Sequence, residues 1–158
     1  MKTILLTGAT GFLGSHMLKA LLNKTQYNII VLKRSFSNVW RIKNEILSPR
    51  VKTYDIDLIP IEKIDFSNIQ VIIHCATEYG RKKDSCLQVL ATNLMYPINL
   101  LEMAVKNNVG VFINTDSYFN KENLSYNYLL NYSLSKKSLN LWLKHFSKKI
   151  STDCCKSE

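Results

Sequence analysis

Short apolar runs alternate with longer amphipathic stretches along the chain, the pattern of strands and helices taken in turn. Residues 2–6 predict a first strand around Ile4-Leu5-Leu6, and 12–23 a helix with Phe12, Leu13, Met17, Ala20 and Leu21 as its apolar positions. Residues 28–32 read as a second strand, 38–47 as a helix that stops before Pro49, 51–54 as a short third strand, and 61–66 as one helical turn. The uninterrupted apolar stretch 70–75 predicts a fourth strand covered on both faces. The longest helix spans 84–107, where Leu87, Leu90, Ala91, Leu94, Ile98, Leu101 and Val105 recur at threes and fours. A fifth strand at 109–114 leads into a Tyr- and Asn-rich loop at 118–130. A last helix follows at 131–149, with Leu139, Trp142, Leu143 and Phe146 on one face. Right-handed crossovers turn this order into an α/β fold with a doubly wound parallel sheet, strand order 3-2-1-4-5. Residues 1–149 form one domain in this reading, and 150–158 an irregular tail where a sixth strand is expected and missing.

Three of the five glycines, Gly8, Gly11 and Gly14, fall in Thr7-Gly8-Ala9-Thr10-Gly11-Phe12-Leu13-Gly14, directly after the first strand. Glycines this dense at a strand-to-helix turn let the main chain approach something closely. The helix N-terminus there offers N–H groups and a dipole that favour an anion, most often a dinucleotide pyrophosphate. Candidate cofactor contacts in the turn are Gly8, Thr10, Gly11, Phe12, Leu13 and Gly14. The end of the second strand bears on the cofactor type, because an acid there bonds a ribose 2′-hydroxyl and an arginine accommodates a 2′-phosphate. Lys33 and Arg34 stand at that place without an acid, which favours NADP ahead of NAD; the plain alternative is surface basicity.

Tyr132-Ser133-Leu134-Ser135-Lys136 is a Y-x-x-x-K at the start of the last helix, where a phenol and an ammonium four residues apart share a face. A lysine ammonium there lowers the phenol pKa, and the Tyr can then donate a proton to a carbonyl as hydride arrives. Tyr79 and Lys83 make a second Y-x-x-x-K, which reads as a surface loop because it contains Gly80. Pro97 interrupts the longest helix and leaves the Asn93 carbonyl without its helical donor, so that carbonyl could hold a water that relays protons to Lys136. The plain alternative is a kink. Tyr118, Phe119, Tyr126 and Tyr128 could stack on a base or sugar, with core packing the better reading. His16, His74 and His145 share no ligand spacing, and no metal is expected; His74 reads as a satisfied core histidine.

The net charge of +9 is scattered over Lys33-Arg34, Arg81-Lys82-Lys83 and Lys136-Lys137, without a basic helix or aromatic platform. A solvated surface and an anionic small molecule explain it better than nucleic acid does. No apolar run is long enough to span a membrane, and the N-terminus has no signal-peptide pattern. Cys75, Cys86, Cys154 and Cys155 have no zinc spacing and read as reduced thiols of a cytoplasmic protein. The helices at 84–107 and 131–149 are the candidate faces for a homodimer.

The G-x-x-G-x-x-G turn, preceded by Thr7, resembles the fingerprint of the short-chain dehydrogenase/reductase superfamily. The start Thr-Gly-Ala-Thr-Gly-Phe-Leu-Gly-Ser-His resembles its extended branch, the NAD-dependent epimerase/dehydratase family. The resemblance implies a Rossmann-type domain. It also implies that Ser117 polarises a substrate carbonyl, with Tyr132, Lys136 and Asn93 completing the catalytic set. Asp55 and Ile56, with Cys75 and Ala76 after the fourth strand, become further cofactor contacts, as do Asn93, Tyr132 and Lys136. Asp116 departs from the family, standing where a Ser is common. The stretch Val31 to Ile42, with Asn114-Thr115-Asp116 and Tyr132 to Lys137, looks like reductases that finish CDP-3,6-dideoxyhexoses, such as abequose or paratose synthases. That likeness implies NADP-dependent reduction of the 4-keto group of a CDP-4-keto-3,6-dideoxyhexose in O-antigen (lipopolysaccharide) biosynthesis. It also implies a chain that stops short of the family's substrate domain, leaving it weakly active or inactive. Rival readings are an NAD-dependent epimerase or dehydratase and a non-catalytic dinucleotide-binding module.

Overall fold

Five strands pair in parallel in the order β3-β2-β1-β4-β5: β1 Thr3–Thr7, β2 Asn28–Lys33, β3 Val51–Asp55, β4 Ile69–His74 and β5 Val111–Asn114. This is the order and sense that the alternating pattern predicts. The computed structural model describes residues 2–81, 85–118 and 129–154, with 148–154 described by backbone alone. The chain divides into two compact units, Met1–Ala76 with Lys106–Thr115, and Thr77–Val105 with Asp116–Glu158.

The first unit holds the whole sheet and helix α1, Phe12–Lys24. β1 lies between β2 and β4, and all five of its residues are buried. That placement explains why its centre, Ile4-Leu5-Leu6, is an apolar run rather than an alternation. Ile4, Leu6, Ala9, Leu18, Ile29, Val31, Ile42 and Ile73 make one buried cluster, joining sheet and α1. The C-terminal end of α1 is closed by Arg50, whose guanidinium donates to the carbonyls of Leu22 at 2.5 Å and Thr25 at 2.7 Å. Strand order reverses at β1, and the crevice at the C-terminal ends of β1 and β4 is where open α/β sheets take their ligands.

The predicted helix at 38–47 is instead two 3₁₀ turns, Trp40–Ile42 and Glu45–Leu47. The Asn38 side chain accepts the Trp40 N–H at 3.0 Å, a local bond that competes with helix formation.

The first unit also holds a 3₁₀ turn at Ile61–Lys63, within the helical turn predicted at 61–66, and the second unit holds most of the later helices. The predicted helix at 84–107 is three pieces: α2 Cys86–Leu90, a π-helical segment Ala91–Met95, and α3 Tyr96–Lys106. Ser85 and Gln88 close the N-terminus of α2 with a reciprocal capping box. In the π segment the Tyr96 N–H reaches the Ala91 carbonyl, five residues back, immediately before Pro97. The backbone thus accommodates the missing proline N–H by widening the turn rather than by ending the helix. Helix α4 runs from Leu130 to Cys154 and packs on α2 and the π segment. It continues beyond residue 149, where the tail was expected to turn irregular, because no proline or glycine interrupts 130–154. Residues 155–158 lie outside the described residues, as do Lys82, Lys83, Phe119, Tyr126 and Tyr128 of the predicted clusters. No described helix is long and apolar enough to cross a membrane.

Candidate functional site

Each of the three glycines in the turn has a different physical reason. Gly8 has φ +71, a left-handed conformation, and a Cβ there would lie 2.5 Å from the Ala76 nitrogen. Gly14 sits in the first turn of α1, and its Cβ would lie 2.2 Å from the Gly8 carbonyl oxygen; here glycine permits close helix-to-strand packing. At Gly11 a Cβ would meet only the Gly8 carbonyl, at 3.3 Å. Gly11 is also the N-cap of α1, with no side-chain cap and no acid in the first turn. The helix therefore opens with unpaired donors and space beside Gly11, a cradle suited to an anion. A pyrophosphate fits what these residues leave open.

Thr7 ties the turn to β4. Its hydroxyl lies 2.8 Å from Nδ1 of the fully buried His74 and accepts the Ala76 N–H at 3.2 Å, while its carbonyl accepts the Cys75 N–H at 3.2 Å. The predicted contacts Cys75 and Ala76 are thereby held against Gly8.

At the C-terminal ends of β2 and β3 one of the two predicted phosphate binders meets a carboxylate. Lys33 forms an ion pair with Asp55, and its carbonyl accepts the Ile56 N–H at 2.9 Å. Arg34 is exposed, with its guanidinium 4.8 Å from the Phe36 ring centroid and no salt bridge among the described residues. Ser35 donates its N–H and its hydroxyl to the Asp57 carboxylate at 2.7 and 2.6 Å. Those bonds, and the nearby Lys33 charge, hold the exposed Asp57 carboxyl below its ordinary 3.8.

The second unit holds Ser117, Tyr132, Lys136 and Asn93, the residues expected to handle protons. Tyr132 and Lys136 lie one turn apart on α4, and both are buried. A side-chain hydrogen bond joins Ser117 to the Tyr132 phenol. Asp116 is paired rather than loose, accepting the Ser117 N–H at 2.7 Å and the Asn140 side-chain amide at 3.0 Å. The expectation that the Tyr132 pKa falls is corrected: burial pushes the phenol above its ordinary 10.0, the Ser117 bond opposes that, and Tyr79 and Asp116 add to the rise. Tyr132 is thus a phenol that holds its proton near neutral pH.

Asn93 lies in the π segment, 1% exposed, and its side chain is fully engaged. Oδ1 accepts from the Thr77 hydroxyl at 3.2 Å and the Glu78 N–H at 2.7 Å. Nδ2 donates to the Glu78 carbonyl at 2.7 Å and to Ser135 Oγ at 3.1 Å. Ser135 in turn donates to the Tyr132 carbonyl at 2.7 Å. The side chain therefore ties residues 77–78 to the helix that bears Tyr132.

Tyr79 lies in an exposed loop, as its sequence suggests, yet it also has a partner that the sequence does not show. Its ring stacks on Tyr132 with centroids 4.8 Å apart, and the Arg81 guanidinium lies 4.6 Å from the Tyr79 centroid. Nothing in the local sequence distinguishes Tyr79, because its ring partner Tyr132 is distant along the chain. Asn140 was legible in principle, since 132, 136 and 140 recur at helical spacing.

The NAD dependent epimerase/dehydratase family model matches residues 4–155. The CDP-abequose synthase of Salmonella muenchen is 38% identical over 138 residues, which are 86% of this chain and 44% of that protein. The CDP-abequose synthase of Salmonella typhimurium is 30% identical over 135 residues, 85% of this chain and 44% of that protein. The chain thus spans less than half the length of these relatives. Among solved structures, the UDP-glucuronic acid 4-epimerase of Bacillus cereus in complex with NAD is similar at a TM-score of 0.73 and 25% identity, covering 92% of this chain and 51% of that one. The UDP-Glc/GlcNAc 4-epimerase of Campylobacter jejuni shares the fold at a TM-score of 0.76 and 24% identity, over 94% of this chain and 50% of that one.

Proposed function

The chain belongs to the NAD dependent epimerase/dehydratase family, and from that premise we propose that it carries the dinucleotide-binding and proton-donating residues of a CDP-sugar 4-ketoreductase. The substrate in this reading is a CDP-4-keto-3,6-dideoxyhexose, reduced in the cytoplasm with NADPH for O-antigen assembly. The two abequose synthases support the sugar class. The observation that supports the chemistry most is the hydrogen bond of Ser117 to a Tyr132 phenol that burial keeps protonated.

When bound, the reduced nicotinamide supplies the hydride for the C4 carbonyl carbon. The turn Gly8 to Gly14, with Thr10, Phe12 and Leu13, holds the pyrophosphate at the N-terminus of α1. Arg34 faces a 2′-phosphate, and Ile56, Cys75 and Ala76 bound the nucleoside. Ser117 polarises the carbonyl by hydrogen-bonding its oxygen. Tyr132 gives that oxygen its phenolic proton, so the ketone becomes an alcohol and the phenolate is reprotonated from solvent. Lys136 stabilises that phenolate and orients the nicotinamide ribose, and a water held by the Asn93 carbonyl relays a proton towards Lys136.

Titrating the 158-residue protein with NADPH and NADH tests the reading. NADPH binding that Gly11→Ala weakens supports it, and failure to bind any dinucleotide overturns it. Turnover by these residues alone is expected to be weak or nil, and any NADPH oxidation on the CDP-4-keto sugar should vanish in Tyr132→Phe. The Lys33–Asp55 ion pair favours a second reading, an NAD-dependent epimerase or dehydratase, since it engages one of the two predicted phosphate cations. Tightly retained NAD released on denaturation would favour that alternative.

A further inference from the structure

The positions at the C-terminal end of β2, 33–35, are those that meet the 2′ position of the adenosine ribose in a dinucleotide fold. Their donors are the Lys33 ammonium, the Arg34 guanidinium, and the N–H and hydroxyl of Ser35. Lys33 is taken by Asp55. Both Ser35 donors are taken by one carboxylate, Asp57, at 2.7 and 2.6 Å. An N–H and an O–H converging on two oxygens of one anion is also how a phosphate would be held there. Asp57 thus occupies the donors a 2′-phosphate needs, and it carries the same sign of charge. Its carboxyl is ionised throughout the neutral range, since its pKa lies below 3.8.

We propose that Asp57 is the residue that sets the choice between a 2′-phosphorylated and a 2′-hydroxyl dinucleotide. It acts as a built-in anion that must leave Ser35 before a 2′-phosphate can bind. A 2′-hydroxyl imposes no such demand, because it is neutral and needs neither Ser35 donor. Asp57 therefore handicaps NADP relative to NAD, and Arg34 is the one cation at 33–35 without a salt bridge among the described residues to offset it. The inference rests on the reading of the glycine turn as a dinucleotide site.

The test is calorimetric titration of the 158-residue protein and its Asp57→Asn and Asp57→Ala variants with NADP⁺ and with NAD⁺. Asp57→Asn keeps the side-chain shape and one acceptor while removing the charge; Asp57→Ala removes both. Each variant should bind NADP⁺ about five- to tenfold more tightly, the scale of one like-charge repulsion at about 4 Å between groups fully exposed to water. NAD⁺ affinity should move by less than about twofold, because it gains no charged partner. The NADP⁺ gain should shrink at high salt. An NADP⁺ to NAD⁺ affinity ratio that is unchanged, or that moves towards NAD⁺, overturns the proposal. So does a gain confined to Asp57→Ala, which would make the effect one of shape. If the wild-type protein and both variants bind neither dinucleotide, the glycine-turn reading fails and this inference falls with it.

Discussion

Placing a methyl group on each glycine of the turn in separate variants should divide structural glycines from the one that makes room for a ligand. Gly14→Ala puts a Cβ 2.2 Å from the Gly8 carbonyl oxygen and 2.9 Å from the Ala9 Cα, both main-chain atoms that cannot rotate away. Overpacking of this kind costs about 1–3 kcal/mol. Gly8→Ala meets the Ala76 nitrogen at 2.5 Å and also forces an L-residue to φ +71. The left-handed conformation adds about 1–2 kcal/mol, for a total of about 2–5 kcal/mol. Against a typical domain stability of about 5–15 kcal/mol, such losses are large. Gly11→Ala is different, since its methyl meets a single atom at 3.3 Å and its φ is an ordinary −78. Its cost is that of an alanine N-cap, under about 1 kcal/mol. The same methyl fills the space beside the open helix N-terminus, so dinucleotide affinity should fall by about tenfold or more, or about 1.4 kcal/mol. Urea denaturation with titration of NADPH on the same preparations reads both effects. Equal destabilisation by Gly11→Ala and Gly14→Ala would refute the reasoning, and so would a Gly11→Ala protein that binds as tightly as wild type.

Asn93→Ala should cost about 2–4 kcal/mol in urea denaturation, because it strands the half-buried N–H and carbonyl of Glu78 and removes a donor from the buried Ser135 hydroxyl. Arg50→Met should cost about 1–3 kcal/mol by uncapping α1, with loss of amide protection over its last turn in hydrogen exchange. Alkaline pH should destabilise the fold. Burial raises the folded-state pKa of Tyr132 and Tyr96 above the ordinary 10.0. Their contribution is therefore fully present below that pH, and it is lost as the pH rises above it and the unfolded chain ionises first. Tyr132→Phe should flatten part of that loss in denaturation curves taken across the alkaline range; an unchanged slope would show that Tyr132 does not contribute.

The sheet was legible because its strands are short apolar runs whose order follows from the handedness of crossovers. The glycine turn was legible because each glycine has a local steric cause. Ser117, Tyr132 and Lys136 could be named from spacing and resemblance, but the sign of the Tyr132 shift could not. A lysine one turn away suggests a lowered phenol pKa. In the folded chain burial, Asp116 and Tyr79 act in the other direction, and two of these lie far from Tyr132 in sequence. The two 3₁₀ turns at Trp40–Ile42 and Glu45–Leu47 show the same limit on a smaller scale, since apolar spacing does not register a competing side-chain bond.

Taken alone, the amino-acid sequence determined the fold class, the strand order and the glycine turn. All of these rest on local sterics or on periodicities of two and 3.6 residues. Tertiary structure alone decided the partners of the charged and polar groups. It set Asp55 on Lys33 and Asp57 on Ser35, and the Asn93 amide between residues 77–78 and α4. The physical reason is that a hydrogen bond or ion pair depends on distances of about 3 Å between atoms that can be dozens of residues apart, and only the packed chain defines those distances.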